Sequence, residues 1–261
     1  MAAILEVDNL QKSFDGVVAA KDIHVSVEAD EIIGIIGANG AGKTTFINMV
    51  TGYLAPSAGS IRFQGRDIRG LPPRRITQLG ICRSFQVSQV FMSETVFDNL
   101  LTAFAIAEVG GLALLRPLFS AARADRVGTH LERYQIADYG DVIAANLPQG
   151  VRKLLDIAMA TVRRPTLLLL DEPTSGISTE EKFELMDIIM AALKQDRTTV
   201  LFIEHDMEIV ERYVGRVLAF YQGEIICDAP TAEAMRDPRV LEFVLGQEYH
   251  AGHRPSGARN A

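Results

Sequence analysis

The fold is decided by the stretch Gly37-Ala38-Asn39-Gly40-Ala41-Gly42-Lys43-Thr44, which fits the pattern GxxxxGK[ST] at every fixed position. A strand-like apolar run over 31–36 precedes this loop, and helical spacing with a glycine stop follows it over 44–52. The glycines of such a loop let backbone N–H groups surround phosphate oxygens, and the following helix presents its positive end to them. The lysine reaches the outer phosphates, and the threonine hydroxyl ligates Mg²⁺.

A merely flexible glycine loop would explain the glycines but not the adjoining Lys43-Thr44 pair. We therefore predict a binding site for a nucleotide polyphosphate at this loop. The candidate binding residues are Gly37, Asn39, Gly40, Ala41, Gly42, Lys43, Thr44 and Thr45.

The composition is that of a globular protein without a general affinity for polyanions. With 48% hydrophobic and 23% charged residues, the 261-residue chain is neither disordered nor collagen-like. It is longer than a usual domain of about 150 residues, so we expect one large domain or a core with an appended lobe. The net charge of −7 offers no field that attracts nucleic acid or anionic lipid, so no nucleic acid partner is expected.

Cysteine usage and the N-terminus favour a reducing cytoplasm. Cys82 and Cys227 stand far apart without a CxxC pairing, which indicates neither a disulfide framework nor a zinc site. The first ten residues lack a basic region followed by an apolar run, so no secretory signal is predicted. The apolar run over 100–119 contains Glu108 and other polar interruptions, which favours two buried helices broken at Gly110-Gly111 over a membrane span.

Alternating strand and helix signals predict an α/β core. The Ile- and Val-rich segment 4–36 predicts several short strands with turns at Asp15-Gly16 and Ala29-Asp30. Residues 92–146 are rich in Ala and Leu at helical spacing and predict a helical lobe, while Ser178 to Glu181 has the capping-box pattern that opens a helix. Further strands are predicted at 60–63, 166–170, 199–203, 217–221 and 224–227, of which the last two form a hairpin.

Two adjacent acids follow the continuous apolar run 166–170, which is typical of a parallel strand buried on both faces. Here Asp171 can hold the Mg²⁺ shell, and Glu172 can orient or deprotonate an attacking water. His205 follows the neighbouring apolar strand. Alone it would be an ordinary histidine, but together with the other motifs it is more consistent with a contact to a γ-phosphate.

The Walker A stretch GANGAGKT, the Walker B stretch LLLLDEP and the later IEHD resemble those of ATP-binding-cassette ATPases, over almost the whole chain. The resemblance implies a P-loop (RecA-like) α/β core with a mixed or antiparallel β subdomain and a helical subdomain, binding ATP and Mg²⁺. It further implies that Phe14 stacks on adenine and that Gln86 contacts Mg²⁺ and water. Without the family, Phe14 would be interpreted as core and Gln86 as a surface loop residue. The implied catalytic residues are Glu172, His205 and Gln86, and the implied metal residues are Thr44, Gln86 and Asp171.

The resemblance also divides the single cassette domain, 1–261. Residues 1–91 and 155–248 would form the nucleotide-binding core, and 92–154 the helical subdomain that ends in the signature loop. Residues 249–261 are predicted to be a flexible tail.

Two loops depart from the family pattern. The signature loop, usually LSGGQ, reads Leu147-Pro148-Gln149-Gly150-Val151, so the residues facing a partner's ATP would be Pro148, Gln149 and Gly150. Pro148 has neither a hydroxyl nor an N–H, which predicts impairment of that site but not its loss, because Gly150 and a helix N-terminus remain. After Walker B, the D-loop reads Thr174-Ser175-Gly176-Ile177-Ser178, in which Ser178 replaces the usual aspartate.

Three features resemble the ATPases of branched-chain (hydrophobic) amino acid importers: the apolar insertion after Phe91, the IEHDM run at 203–207 and the ending VLEFVLGQE. This resemblance implies a second ATPase subunit, identical or different, two membrane permeases and, indirectly, a periplasmic binding protein. It places the chain peripherally at the cytoplasmic face of the inner membrane. Branched-chain amino acids are the cargo that the resemblance implies, while related small amino acids, amides, urea and other small organic acids remain possible.

Several other classes compete with the importer. A lipopolysaccharide-export ATPase shares a similar ending but generally lacks so long an insertion, and a soluble regulatory ATPase of the same family stays open. A soluble kinase has no need of Gln86 or His205, and a GTPase would require an N/TKxD motif, which the sequence lacks. A catalytically dead module is disfavoured because Glu172 is present.

Overall fold

The computed structural model describes residues 3–84, 90–108 and 118–246. The strands are β1 (Ala3–Phe14), β2 (Val17–Glu28), β3 (Ile32–Ile36), β4 (Ala58–Phe63), β5 (Arg66–Asp67), β6 (Ile81–Arg83), β7 (Leu167–Asp171), β8 (Thr199–Ile203), β9 (Arg216–Tyr221) and β10 (Glu224–Pro230). The α-helices are α1 (Lys43–Val50), α2 (Pro73–Leu79), α3 (Val96–Glu108), α4 (Ala121–Arg133), α5 (Gln149–Thr161), α6 (Glu181–Gln195), α7 (Met207–Tyr213), α8 (Thr231–Ala234) and α9 (Pro238–Val240). Short 3-10 turns occupy Ala137–Tyr139 and Ala144–Asn146, and a π-helical turn occupies Leu241–Leu245.

The chain divides into two compact units, the first made of Met1–Leu71 and Ile203–Ala261 and the second of Pro72–Phe202. In the first unit, four strands pair in the order β2-β1-β4-β5 with antiparallel neighbours. A separate set in this unit has the order β10-β9-β3, where β9 runs antiparallel to β10 and parallel to β3. The first unit thus combines an antiparallel layer with the strand that leads into the phosphate loop.

The prediction of several short strands over 4–36 is wrong for the first two. Both β1 and β2 are 12 residues long, because they pair with each other from Phe14 and Val17 at the turn to Ala3 and Glu28 at the far end. Register shifts interrupt this pairing without ending it. The predicted hairpin of β9 and β10 is confirmed, with Tyr221 opposite Glu224.

In the second unit, β8, β7 and β6 are neighbours in that order, and β6 runs parallel to β7. Every residue of β7 is buried, which confirms the predicted parallel strand. One bond of the predicted capping box is present, since the Glu181 N–H donates to Ser178 Oγ at 3.3 Å, and the two side chains also bond to each other, with Ser178 Oγ donating to Glu181 Oε2 at 3.0 Å. Regular helix begins at Glu181 itself.

The predicted helical lobe contains α3 and α4, which pack on each other. Leu100, Leu101 and Phe104 of α3 are buried. The predicted break at Gly110-Gly111 lies outside the described residues, as does the predicted tail. Across 3–84, 90–108 and 118–246, no helix combines the length and apolar character needed to cross a membrane.

Both cysteines are buried free thiols. Burial raises the pKa of the Cys82 thiol to about 11, so this residue is neutral near pH 7. Cys82 therefore behaves as a small apolar residue within β6.

Candidate functional site

The phosphate loop of the first unit is held between a buried strand and a helix. Residues 33–36 of β3 are fully buried, which fixes the point at which the loop begins. Gly42 precedes α1 as its N-cap, and α1 starts at Lys43. Because the first N–H groups of a helix have no partner within the helix, this turn offers donors to an anion.

Two glycines of this loop cannot be replaced without displacing backbone. Gly37 has φ +149°, and a Cβ at that position would overlap the Phe220 carbonyl oxygen. Gly42 has φ +106°, and a Cβ there would lie 2.9 Å from the Ala19 carbonyl oxygen. These positions therefore require glycine, and the loop presents its backbone rather than side chains.

Lys43 lies inside the loop and is only 6% exposed. Its Nζ donates to the carbonyl oxygens of Gly37 at 2.5 Å and of Ala38 at 3.0 Å. Thr44 is exposed and Thr45 half-buried. The donor set of backbone amides, one ammonium group and hydroxyls fits the phosphates of a nucleotide and their Mg²⁺.

Phe14 does not belong to the core, as the residue taken alone would suggest. It ends β1 with 44% of its surface exposed, and Lys12 Nζ lies 5.0 Å from the centroid of its ring. Its neighbours Val17 and Val18 are exposed as well. The turn thus presents an accessible aromatic ring, and its contact with adenine stays a prediction.

His205 also belongs to the first unit and lies two residues after the end of β8. Its side chain is exposed, whereas the preceding Glu204 is buried. The Glu204 Oε2 accepts the His205 backbone N–H at 3.0 Å. This contact fixes the backbone at the residue whose imidazole would face a phosphate.

The two acids of the second unit stand where β7 ends. Asp171 is the last residue of the strand and is buried, and Glu172 follows it half-buried. Glu172 has φ +49°, a left-handed conformation that is costly for a residue with a Cβ. The surrounding chain must therefore hold Glu172 in this conformation.

The Glu172 backbone gives a stability prediction. Both Glu172→Ala and Glu172→Gly remove the carboxylate, but only glycine relieves the left-handed conformation. We expect the glycine variant to have a free energy of unfolding about 1 kcal/mol higher than that of the alanine variant. Urea unfolding of both variants checks this, and equal stabilities, or a more stable alanine variant, would contradict it.

One residue of the site has no signal in the local sequence. Arg83 Nη2 contacts Asp171 Oδ2 at 2.5 Å, although the two residues are far apart in the chain. The pairing of β6 with β7 sets Arg83 opposite Leu169, two residues before Asp171. Side chains two residues apart on a strand share a face, so the strand register creates this contact.

The signature loop, whose sequence departs from the family pattern, leads into α5. Pro148 is the N-cap residue of this helix, with φ −54° and ψ 151°, and provides no side-chain cap. The Gln149 side chain lies against Gly176 of the D-loop, so that a Cβ on Gly176 would overlap the Gln149 amide. Arg152 Nη2 donates to the Leu147 carbonyl oxygen at 3.0 Å and steadies the approach to Pro148, a role the sequence did not indicate.

Within the second unit, the structure thus joins the signature loop to the D-loop and Asp171 to Arg83. Gln86 lies outside the described residues, so its predicted contacts with Mg²⁺ and water stay a prediction.

Comparisons with known proteins agree with these features. The sequence profile of the ABC transporter family matches residues 20–175. The chain is 35% identical to the high-affinity branched-chain amino acid transport ATP-binding protein LivG of Salmonella typhimurium, over 94% of this chain and 98% of that protein. It is 36% identical to the corresponding BraF of Pseudomonas aeruginosa, with the same coverage of both chains.

Solved structures show the same fold. The ADP conformation of an ATP-binding cassette of an ABC transporter superposes with a TM-score of 0.80 at 28% identity, covering 97% of this chain and 100% of that one. A nucleotide-free cassette superposes with a TM-score of 0.79 at 28% identity, covering 92% and 98%. The P-loop, the carboxylates at the end of β7 and these likenesses together show that the chain belongs to the ABC transporter family, as one of its ATP-hydrolysing cassettes.

Proposed function

We propose that this cassette powers the import of branched-chain amino acids, or of related small amino acids and amides, through membrane permease partners. The glycine-lined phosphate loop around Lys43 supports the ATP-dependent part of the proposal, because its backbone donors and ammonium group suit a polyphosphate. The relatives LivG and BraF, similar over 94% of the chain, favour an amino acid importer over a lipopolysaccharide exporter.

The nucleotide would be held by the loop residues and by Phe14 on its adenine. Mg²⁺, when bound, neutralises charge on the phosphates, and Thr44, Asp171 and Gln86 would hold it. Glu172 would orient the attacking water and take its proton, and His205 would donate to the γ-phosphate. This assignment follows the family motifs, and the positive φ and close backbone contacts at Gly37 and Gly42 support the part that concerns the phosphates.

Domain organisation follows the same proposal. Residues 1–91 and 155–248 would form the nucleotide-binding core, and 92–154 the helical subdomain that carries the signature loop.

ABC cassettes work as dimers with membrane permeases, and we place this chain in such an assembly at the cytoplasmic face of the inner membrane. Two nucleotides would be sandwiched between this chain and a second ATPase subunit, beneath two permeases served by a periplasmic binding protein. ATP would close the sandwich because each nucleotide gains contacts from both subunits, and hydrolysis would remove those contacts. If the second subunit carries a serine in its own signature loop, Pro148 makes the two nucleotide sites unequal in their affinity for ATP.

The signature loop provides a test of that inequality. Pro148→Ser restores a hydroxyl at the N-cap of α5, where the structure has no side-chain cap. We expect ATP to bind roughly ten- to a hundredfold more tightly at the site this loop completes. The isolated chain should also gain about 1 kcal/mol in its free energy of unfolding from the added cap.

Pro148→Ala is the matched control, since it adds an N–H but no hydroxyl. ATP binding by the assembled complex and urea unfolding of the chain measure the two effects. If alanine tightened binding as much as serine, or if neither did, the missing hydroxyl would not explain the inequality. Equal ATP turnover at both nucleotide sites of the unaltered complex would also contradict the proposed inequality.

The assembly itself is tested by affinity purification of the tagged chain from detergent-solubilised membranes, followed by identification of each co-purifying protein. Two permeases, a second ATPase and an amino acid binding protein are the expected partners. Recovery with lipopolysaccharide-export components would identify the exporter instead. Recovery of the chain alone, under conditions that preserve other transporters, would identify a soluble ATPase or regulator.

A further inference from the structure

We propose that Arg83 is a positioning residue that occupies the Asp171 carboxylate until Mg²⁺ displaces it. Arg83 would thereby set how much Mg²⁺ the cassette needs in order to bind nucleotide. The inference rests on the proposed function, because it takes Asp171 as a residue of the Mg²⁺ site.

The contact between the two side chains is short and shielded from water. Arg83 Nη2 lies 2.5 Å from Asp171 Oδ2, and the side chains are only 9% and 12% exposed. Both residues end adjacent strands of the second unit, where the pairing of Arg83 with Leu169 fixes the spacing. The Ser84 N–H donates to the Leu169 carbonyl oxygen at 2.9 Å, so the register continues past Arg83. The register therefore brings the guanidinium within reach of the carboxylate when no Mg²⁺ is bound.

Because both side chains are largely buried, their contact affects the stability of the chain. A buried carboxylate without a counter-charge is strongly destabilising, so Asp171 requires a cation in the absence of Mg²⁺. The Arg83 guanidinium supplies that cation from within the chain.

The positive charge of Arg83 also opposes the binding of Mg²⁺ at Asp171. One carboxylate carries a single negative charge, and two cations close to it repel each other strongly where water is excluded. Mg²⁺ must therefore displace the guanidinium from Asp171 or bind against its charge, and either event weakens the observed affinity. Removing the charge of Arg83 should strengthen Mg²⁺ binding while it destabilises the metal-free chain.

A second ion pair in the same unit offers a matched control. Arg133 Nη1 lies 2.5 Å from Asp196 Oδ2, with side chains 17% and 12% exposed. This pair joins α4 to the C-cap of α6 and includes none of the proposed Mg²⁺ residues. Loss of Arg133 should therefore lower stability without changing the response to Mg²⁺.

The first measurement is the binding of a fluorescent ADP analogue to the full purified chain at increasing Mg²⁺ concentration. In Arg83→Met, we expect the half-saturating Mg²⁺ concentration to fall roughly tenfold. Arg133→Met should titrate like the unaltered chain. Arg83→Lys keeps the charge but lacks the planar guanidinium group, so its half-saturating Mg²⁺ concentration should lie between those of Arg83→Met and the unaltered chain. If Arg83→Met does not fold, Arg83→Lys provides the test.

The second measurement uses no nucleotide and no metal. In EDTA, Arg83→Met and Asp171→Asn should each lower the midpoint of thermal unfolding by roughly 5–15 °C. The double variant should be little worse than either single one, because both substitutions break one contact. Fully additive losses would show that the two side chains do not depend on each other and would overturn the inference.

The outcomes separate this inference from the proposed function. If Arg83→Met lowers stability but leaves the Mg²⁺ titration unchanged, Arg83 is purely structural and the inference is wrong. If Asp171→Asn itself leaves the Mg²⁺ titration unchanged, the proposed metal role of Asp171 fails, and the inference fails with it. A lower half-saturating Mg²⁺ concentration in Arg83→Met and a higher one in Asp171→Asn, with no change in Arg133→Met, supports both.

Discussion

Glu172→Gln is expected to leave ATP binding nearly unchanged while it lowers ATP turnover by a factor of about 10²–10⁴, the usual contribution of a general base. Glutamine has nearly the same shape as glutamate but cannot take a proton from water. The substitution also retains a side chain at a position with φ +49°, so the loop after β7 should keep its conformation. Steady-state ATPase assays on the assembled complex and equilibrium ATP binding measure the two effects.

Glu184→Gln is the matched control, because Glu184 is an exposed acid on the nearby helix α6. Its turnover should stay within about twofold of the unaltered complex, as for most surface substitutions. If Glu172→Gln kept more than about a tenth of the original turnover, Glu172 would not be the general base.

Lys43→Met should have the second largest effect, and it should weaken ATP binding rather than slow ATP hydrolysis. Methionine keeps the apolar stem but loses the ammonium, which is held within the loop by the Gly37 and Ala38 carbonyl oxygens. Since a hydrogen bond to a charged group contributes about 1.5–3 kcal/mol, ATP should bind roughly ten- to a hundredfold more weakly. Equilibrium titration with ATP in the presence of Mg²⁺ measures the loss.

Lys21→Met serves as the control for charge. Lys21 is an exposed lysine of the same unit, paired with Glu224 at 2.5 Å, and its backbone N–H donates to the Gly223 carbonyl oxygen beside the loop. The substitution removes one positive charge without touching the interior of the loop, so the affinity for ATP should be unchanged. Equal losses in the two variants would mean that overall charge, not the position of Lys43, determines binding.

Local patterns were sufficient to predict the parts of this protein that depend on neighbouring residues. The phosphate loop follows from eight consecutive positions, and its need for glycine at Gly37 and Gly42 is visible in the structure as positive φ and close backbone contacts. The strand before Asp171 was evident because burial on both faces leaves a continuous apolar run. The hairpin at Gln222-Gly223 followed from its turn residues.

Features set by tertiary contacts were not predictable in this way. The Arg83 contact with Asp171 arises because two strands distant in sequence are neighbours, and nothing near either residue indicates that pairing. The predicted turns at Asp15-Gly16 and Ala29-Asp30 lie where β1 and β2 end, but the length of the two strands was missed because it depends on their mutual pairing, which keeps both extended. The exposure of Phe14 likewise depends on the turn at which it lies.

The two departing loops were visible in the sequence, but their contact was not. Gln149 stands where the family usually has the first glycine of its signature, and its side chain lies against Gly176 of the D-loop. A glycine with φ +77° provides the space that this larger side chain needs. The Gln149 side chain and the glycine of the D-loop are therefore complementary in size within the second unit.

The most direct test of the account is ATP-driven accumulation of radiolabelled leucine, isoleucine or valine in proteoliposomes that contain the purified complex and its binding protein. We expect accumulation that requires ATP and Mg²⁺, is lost with Glu172→Gln and is retained with Glu184→Gln. Accumulation that persists with Glu172→Gln, or ATP hydrolysis without transport of any of these amino acids or of related amides, would contradict it.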